Sequence, residues 1–532
     1  MFSHNVGTAE FNRANYTLQL ADLYAIITVS RKEICMRVTN IMNFIRTFEP
    51  RDAEIEKKLY DTAKAELGLS LEMDLPSTFL LQYDALCDKR YVDLFRAVKD
   101  NPRIELGFWY EVVEPLTTAI GIPYNSARGY RWDWNIDPGF PMSYDTATRE
   151  RLIDEAMRKF KEIFGFYPRT VASWVLDTYT VNYLADNYEI DAFMICRDQI
   201  NTDAYTMVGG YFNGAYYPSR NNIFTPGDDE TRLNIPVFRL LGPDPIHNYD
   251  GKKHLSAGSV ERYSTVFTLE PASSVLKNPM IADWLLDTYY CTKSIGLAYT
   301  QVGQENSFAS IDLVPPLRYQ YEGLIERGVP FMTVSETARL FKKSYKRTPV
   351  TTTAAMTNWD DVDIKCVYYN SEAYTANIFY RESRVSIRSL YLFDDRIEDS
   401  YLHGRCTTFD SIHENMPIVD TYYQRGDSDG GEGIILDTGA TQFTQSYDGD
   451  ILTVSFGEGS AIFDETGITL VNCKVKFTPE MINTRISVTD SSVEYEYKSH
   501  KYALRVEGCK PEFKDGVISL CGGKIRLTPE KR

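Results

Sequence analysis

With 532 residues, 43% of them hydrophobic and 25% charged, the chain far exceeds one small core. It has the composition of a globular enzyme of two or three domains, which excludes a disordered protein. Its 57 Lys and Arg against 74 Asp and Glu leave a formal charge of −17, and no basic patch offsets it, so neither nucleic acid nor membrane is expected as a partner.

No apolar run approaches the ~18 residues of a membrane helix, and the opening "MFSHNVGTAEFNRANYTL" lacks the apolar core of a secretory leader. The expected location is the cytoplasm, the alternative being an exported form whose leader is missing. The nine cysteines include no CxxC pair, so buried reduced thiols are expected rather than a disulfide framework or a zinc knuckle. Nothing marks an oligomeric state. Aromatic residues reach 13%, with 37 tyrosines, and aromatic faces suit sugars, whose apolar faces stack on rings.

In chain order, apolar β-branched runs alternate with helical periods from about residue 22 to 345, the βα pattern of a parallel sheet or barrel. "LYAIITVS" (23–30) reads as the first strand and "LPSTFLLQYD" (75–84) as the second, before the helix "KRYVDLFRAVKD". "RIELGFWYE" (103–111) is the third, ending in Trp109 and Glu111, and "TVASWVLD" (170–177) the fourth, ending in Asp177. Further strands are expected at 191–198, 234–242, 263–271 (ending near Glu270), 295–303 and 328–336. The small polar stretch at 346–361 reads as a linker. Beyond residue 355 strand-period segments follow one another with Gly, Asp, Asn and Ser turns and no convincing helix, which is an all-β sandwich pattern.

Carboxyl ends of strands carry the site in parallel βα folds. That singles out Glu111, Asp177, Glu270 and Glu305. "SWVLDTYT" (173–180) is echoed by "DWLLDTYY" (283–290), but the second lies in a helical stretch and Asp287 is expected on a helix surface. The competing role for Asp177 is the N-cap of the next helix; for Glu305 it is a cap ahead of "IDLVPPLRY". Around Glu305, Gln301, Gln304 and Asn306 can hydrogen-bond sugar hydroxyls and the catalytic carboxyl. The loop "RGYRWDWNIDPGF" (128–140) interleaves Trp132, Trp134 and Phe140 with Asp133 and Asp137, and reads either as a sugar platform or as a plug folded onto the barrel.

"LPSTFLLQYDAL", "RIELGFWYE" and "FGFYPRTVASWVLDTYTVNYLADNYEIDAFM" together resemble the glycoside hydrolase/deacetylase superfamily over roughly residues 20 to 345. This superfamily includes the NodB-type polysaccharide deacetylases and the family 38 and 57 glycosidases, and bacterial members with a β-rich tail are the closest in pattern. The resemblance implies an α/β fold, an irregular (β/α)7 TIM-like barrel over 1–350 followed by an all-β sandwich over 355–532. It also implies a carbohydrate-active hydrolase with an oligo- or polysaccharide substrate.

A deacetylase of the superfamily has an aspartate pair after the first strand and two histidines at i and i+4 after the third, holding a divalent ion. Here those strands read "TVSRKE" and "GFWYEVVE", so no metal or other cofactor is expected. Asp244, His247, Asp250 and His254 of "GPDPIHNYDGKKH" read as loop residues, with His247 a substrate contact or, in the deacetylase alternative, a metal ligand. The family 57 pattern instead implies a glycosidase pair: Asp177 as ionised nucleophile or base and Glu305 as protonated acid, with Glu111 in reserve. Trp109, Trp132, Asp133, Trp134, Asp137, His247, Glu270, Gln304 and Asn306 are the implied substrate contacts. A non-catalytic carbohydrate-binding protein on a degenerate barrel is the third reading.

Overall fold

A strand buried on both faces is ordinarily apolar throughout, yet the strand at the centre of this molecule is not. β1 (Met36–Ile45) is buried from Val38 onward and carries Thr39, Asn40 and Asn43 inside. Each of the three side chains has at least one partner, which offsets part of the cost of burial. Thr39 Oγ1 donates to Thr300 O (3.1 Å), Asn40 Nδ2 donates to Met332 O (2.8 Å), and Asn43 Oδ1 accepts from Gln304 N–H (3.1 Å). This strand takes the first place expected for residues 23–30, which lie outside the described residues. The computed structural model describes residues 35–196, 209–247, 268–309, 312–409, 411, 413–421, 433–437, 439–440, 442–479 and 484–532.

Around β1 stand β2 (Ser77–Leu81), β3 (Ile104–Trp109), β4 (Thr170–Ala172), β5 (Ala192–Cys196), β6 (Ala215–Tyr216), β7 (Val237–Leu240), β8 (Leu297–Val302) and β9 (Phe331–Met332). Their order is β6-β7-β5-β4-β3-β2-β1-β8, with β9 also on β1, and all pairings are parallel except β6 with β7. Between the β6–β7 end of the sheet and β8, side chains bridge what no ladder joins. Gln301 Oε1 accepts from Leu241 N–H (2.9 Å) and Asn213 Nδ2 donates to Tyr299 O (2.6 Å). The sheet is thereby barrel-like and nearly closed. The 263–271 run contributes only an isolated bridge at Thr268 within the described residues.

Helices cover the outside, among them α1 (Leu59–Glu72), α2 (Thr146–Phe164), α3 (Thr178–Asn187), α4 (Pro279–Tyr290), α5 (Val314–Glu326) and α6 (Val334–Ser344). α2 starts on the Asp145 cap, which accepts from Thr148 N–H, and stops at Gly165 in a left-handed conformation (φ 88°), the usual terminator. Asp287 lies on the outer face of α4 and accepts from Arg327 Nε (2.8 Å), so the sequence echo has no counterpart in the site. None of the described helices is long and apolar enough to cross a membrane. None of the nine cysteines forms a disulfide.

After Ser344 every described element is a strand. The stretch read as a linker contains β10 (Thr351–Ala355), buried along its whole length and paired antiparallel with Ile364–Asn370. Its three threonines are polar in composition but β-branched, and the pleated sheet suits them. β10 opens one antiparallel sheet, a second runs from Thr444–Asp448 to Lys524–Lys531, and one core drawn from both includes Tyr369, Val454, Phe463 and Leu527. Another core joins Ile41, Leu285 and Tyr321 of the barrel side to Ala355, Cys366 and Tyr368.

Residues 393–409, between the strands Arg384–Leu392 and Met416–Asp420, form a strap over the barrel loops. Cys406 N–H donates to Met142 O (2.8 Å), Asp399 N–H to Asn221 O (2.8 Å), and Ile136 N–H to Phe409 O (2.9 Å).

Gly303 sets the path from β8 to Glu305. Its φ is +119°, and a Cβ there would overlap the Met42 carbonyl of β1. Gly303→Ala is expected to lower stability by about 3 kcal/mol through strain and overpacking together, read as a shift in the urea midpoint at unchanged m.

Candidate active site

The carboxyl ends of β1, β2, β3 and β8 deliver four polar side chains toward one another. Arg46, directly after β1, is almost fully buried. Its Nη2 donates to Glu305 Oε2 (2.7 Å) and Ser307 Oγ (2.7 Å), and stands 3.7 Å from Glu49 Oε2. The guanidinium lies 4.0 Å from the ring centroid of Trp132, a cation–π contact strengthened by desolvation. Glu49 is clamped in turn by Arg51 through two 2.6 Å bonds. Burial works to raise the Glu49 carboxyl, but the Arg51 hydrogen bond and the charges of Arg46 and Arg51 outweigh it and hold the carboxyl below its ordinary value.

Glu111, two residues past β3, has no exposed surface. Its Oε2 accepts from Gln82 Nε2 (2.5 Å) and Trp132 Nε1 (2.8 Å). Burial pushes its carboxyl up to about 8; Arg46 and the Trp132 N–H oppose the rise and Glu305 adds to it. Glu270 is pushed up to about 8 by burial and then by Glu305, against hydrogen bonds from Thr268 and Gln304. Its Oε1 accepts from Gln304 Nε2 at 3.1 Å, and unlike Glu111 it keeps partial exposure. Glu66, on α1, is fully buried and raised well above the ordinary value, by burial first and by Glu305 second. Near neutrality, then, Glu305 faces an arginine while Glu111 and Glu270 hold their protons.

Several expected site residues make hydrogen bonds and packing contacts within the fold. Asp177 caps α3: it accepts from Thr180 N–H (3.0 Å) and Thr180 Oγ1 (2.7 Å), and it pairs with Arg149 Nη1 (2.9 Å) with neither side chain exposed. The helix-cap geometry expected as its competing role is present. Glu305 makes no side-chain cap bond, so its carboxyl is left to Arg46. Trp132 is 2% exposed. The platform expected there is a plug, held inward by the Glu111 bond and the Arg46 face. Trp134 is half-buried under Arg128, 3.6 Å from its ring centroid.

Asp133 ties down the same loop through Ser126 Oγ (2.6 Å), Arg128 and Asn135 N–H (3.0 Å). Asp137 lies in the first turn of the short helix Ile136–Gly139. Trp109 is inside the barrel, stacked on Phe44 at 4.1 Å. Asn306 spends its amide on the backbone: Oδ1 accepts from Arg46 N–H (3.0 Å) and Nδ2 donates to Arg46 O (2.9 Å) and Leu59 O (3.0 Å). Gln304 orients Glu270. His247 Nε2 lies 3.1 Å from Asn358 Oδ1, and its N–H donates to Asp244 Oδ1 (2.9 Å). Asp250 and His254 lie outside the described residues. Among those described, no group of three or more His, Cys, Asp or Glu side chains is arranged to hold a metal ion.

Arg46, Gln82, Glu49 and Glu66 are the members that sequence reasoning missed. The signal for Arg46 was a strand running directly into a lone arginine, concealed because the strand was sought thirteen residues too early.

No family model matches the sequence, and no curated protein sequence matches it. Among solved structures, a Parabacteroides distasonis protein with the provisional name glycoside hydrolase/deacetylase is similar, with a TM-score of 0.55 and 13% identity over 74% of this chain and 93% of that one. The likeness shows that the two chains share a fold. A Mycobacterium smegmatis protein provisionally named a polysaccharide deacetylase is similar at TM-score 0.35 and 12% identity, over 60% of this chain and 95% of that one. A GH57-type branching enzyme of Pyrococcus horikoshii scores 0.31 at 11% identity, over 57% and 70%; these two scores are too low to define a shared topology.

Asp177→Ala should cost about 3–5 kcal/mol, because it strands the buried Arg149 charge. Activity per folded molecule should persist; measuring turnover against the folded fraction by circular dichroism checks both. Glu111→Gln can keep both hydrogen bonds on one oxygen. In the native chain the raised carboxyl contributes stability present below its ordinary value of 4.5 and lost as pH rises through about 8. The variant should lack that loss, so its stability relative to the native chain should grow by about 3–5 kcal/mol between pH 4.5 and 9, read from urea midpoints.

Proposed function

We propose that this chain is a carbohydrate-active hydrolase of the glycosidase type, with Glu305 as nucleophile or base and Glu270 as the acid. The observation that carries the reading is the contrast between two interacting glutamates at one end of the barrel-like sheet: Glu305 is bound to Arg46 (2.7 Å), while Glu270 is pushed up to about 8 and so keeps its proton near neutrality. Glycoside cleavage needs that contrast, one carboxyl to protonate the leaving oxygen and one carboxylate to attack the anomeric carbon or activate water. Gln304, donating to Glu270 Oε1, orients the acid. Glu111, fully enclosed, acts through its partners: it fixes Trp132, whose ring backs Arg46.

Fold likeness to a protein provisionally named a glycoside hydrolase/deacetylase supports a saccharide substrate. The deacetylase reading finds less support, since β1 runs into Arg46 and β3 into Trp109-Tyr110-Glu111, with no aspartate pair or histidine pair at those ends.

The test is turnover on a panel of 4-nitrophenyl glycosides and polysaccharides. Glu305→Gln should remove nearly all activity on every substrate. Glu270→Gln should retain much of the first step on nitrophenyl glycosides, whose leaving group needs little protonation, and lose at least about 100-fold on polysaccharides. Because the acid works protonated, native activity should fall as pH rises through about 8, and this limb should vanish in Glu270→Gln. Full activity in folded Glu305→Gln sinks the assignment; saccharide binding without turnover in the native chain favours the non-catalytic reading.

A further inference from the structure

The strap and the residues just after it carry a second cluster that the proposed glycosidase chemistry does not use. Ser411 Oγ lies 3.1 Å from His413 Nε2, and His413 Nδ1 lies 3.3 Å from Asp399 Oδ1. Asp399 is wholly buried; its second oxygen accepts from the Thr178 hydroxyl at 3.0 Å, and its backbone N–H is bound to Asn221 O. The imidazole packs on Phe224 at 4.1 Å between centroids and edge-on to Tyr401 at 5.4 Å. Its side chain is 7% exposed, and Ser411 is 8% exposed. Two hydrogen bonds in series thus join a hydroxyl, an imidazole and a buried carboxylate, the order that activates a serine nucleophile. Thr178 adds what the carboxylate needs to hold one orientation.

We propose that Ser411, His413 and Asp399 form a second hydrolytic centre, acting on a short-chain carboxylic ester borne by a saccharide. The short acyl group follows from the narrow exposure of Ser411 and of the His413 imidazole, which lies against two aromatic rings. The saccharide part rests on the function proposed above, since the strap is bound to the tryptophan loop through Ile136 N–H and Phe409 O.

With Nδ1–H donated to Asp399, the Nε2 lone pair faces Ser411. As Oγ attacks the carbonyl carbon its proton passes to Nε2. The ester C–O bond then breaks, and the leaving sugar oxygen takes that proton, leaving an acyl-serine. Water attacks the acyl carbon, giving a proton to Nε2 that returns to Oγ as the carboxylic acid departs. One ester and one water are consumed, and nothing is oxidised or reduced.

The experiment uses the full chain with a fluorophosphonate probe, peptide mapping of the adduct, and acetate release from 4-nitrophenyl acetate. An adduct on Ser411 is expected, with acetate release falling at least about 100-fold in Ser411→Ala and in His413→Asn. Glu305→Gln should still be labelled at Ser411, so failure of the glycosidase reading and failure of this one are told apart. An unlabelled Ser411 in the native chain, or acetate release unchanged in folded Ser411→Ala, overturns the proposal and leaves the cluster as a brace for the strap. Labelling with release of acetate from the nitrophenyl ester but from no acetylated polysaccharide overturns the saccharide part.

Discussion

A guanidinium taken out of water is tolerated only where opposite charge and hydrogen-bond acceptors meet it, and Arg46 is such a group at the end of the central strand. Meeting its needs dictates much of the surrounding sequence. Glu305 and Ser307 must come from the end of β8, Glu49 from the turn after β1, and the Trp132 face from the long loop after β3. Asn306 bonds both backbone groups of Arg46, which fixes β1 against β8 at the level of the site. Gly303 is required one step earlier, because only a residue without Cβ lets the chain pass Met42 on its way there.

The same constraint accounts for the unusual carboxyls. Glu66, Glu111, Glu270 and Glu305 interact electrostatically, but only Glu305 is bound directly to the arginine. Burial disfavours each further negative charge, and Glu305 disfavours it again. The outcome is one ion pair beside three carboxyls whose ionisation is disfavoured. A neutral carboxyl that keeps some exposure is a ready proton donor, which separates Glu270 from the enclosed Glu66 and Glu111.

Sequence reading located Glu111 and Glu305 just past β3 and β8 because an apolar run ending in an acid has one simple structural meaning. It could not tell a strand-end aspartate in a site from a strand-end aspartate that caps the next helix. Asp177 satisfies both descriptions, and only the buried Arg149, 28 residues away, decides between them. Trp132 was ambiguous for a similar reason: an indole in a Pro-Gly loop reads alike whether its ring faces solvent or a buried guanidinium. β1 was missed because its three internal polar residues break the apolar pattern. Their partners Thr300, Met332 and Gln304 lie some 260 to 290 residues downstream, beyond any local pattern. β10 was read as a linker because threonine's polarity was weighed above its β-branching.

The Arg149–Asp177 pair also bears on how the β-sheets relate to the barrel. Arg149 donates to the carbonyls of Tyr401 and Gly404 in the strap as well as to Asp177. One buried cation therefore joins the N-terminal turn of α3, the helix α2 and a segment from the C-terminal sheet. β10 and its neighbour, moreover, share a core with α4 and α5. With burial and charge both spanning the joint, the C-terminal region is part of the wall that holds the tryptophan loop inward. The motif whose aspartate reads either as a nucleophile or as a helix cap marks a point where the two halves of the chain depend on each other.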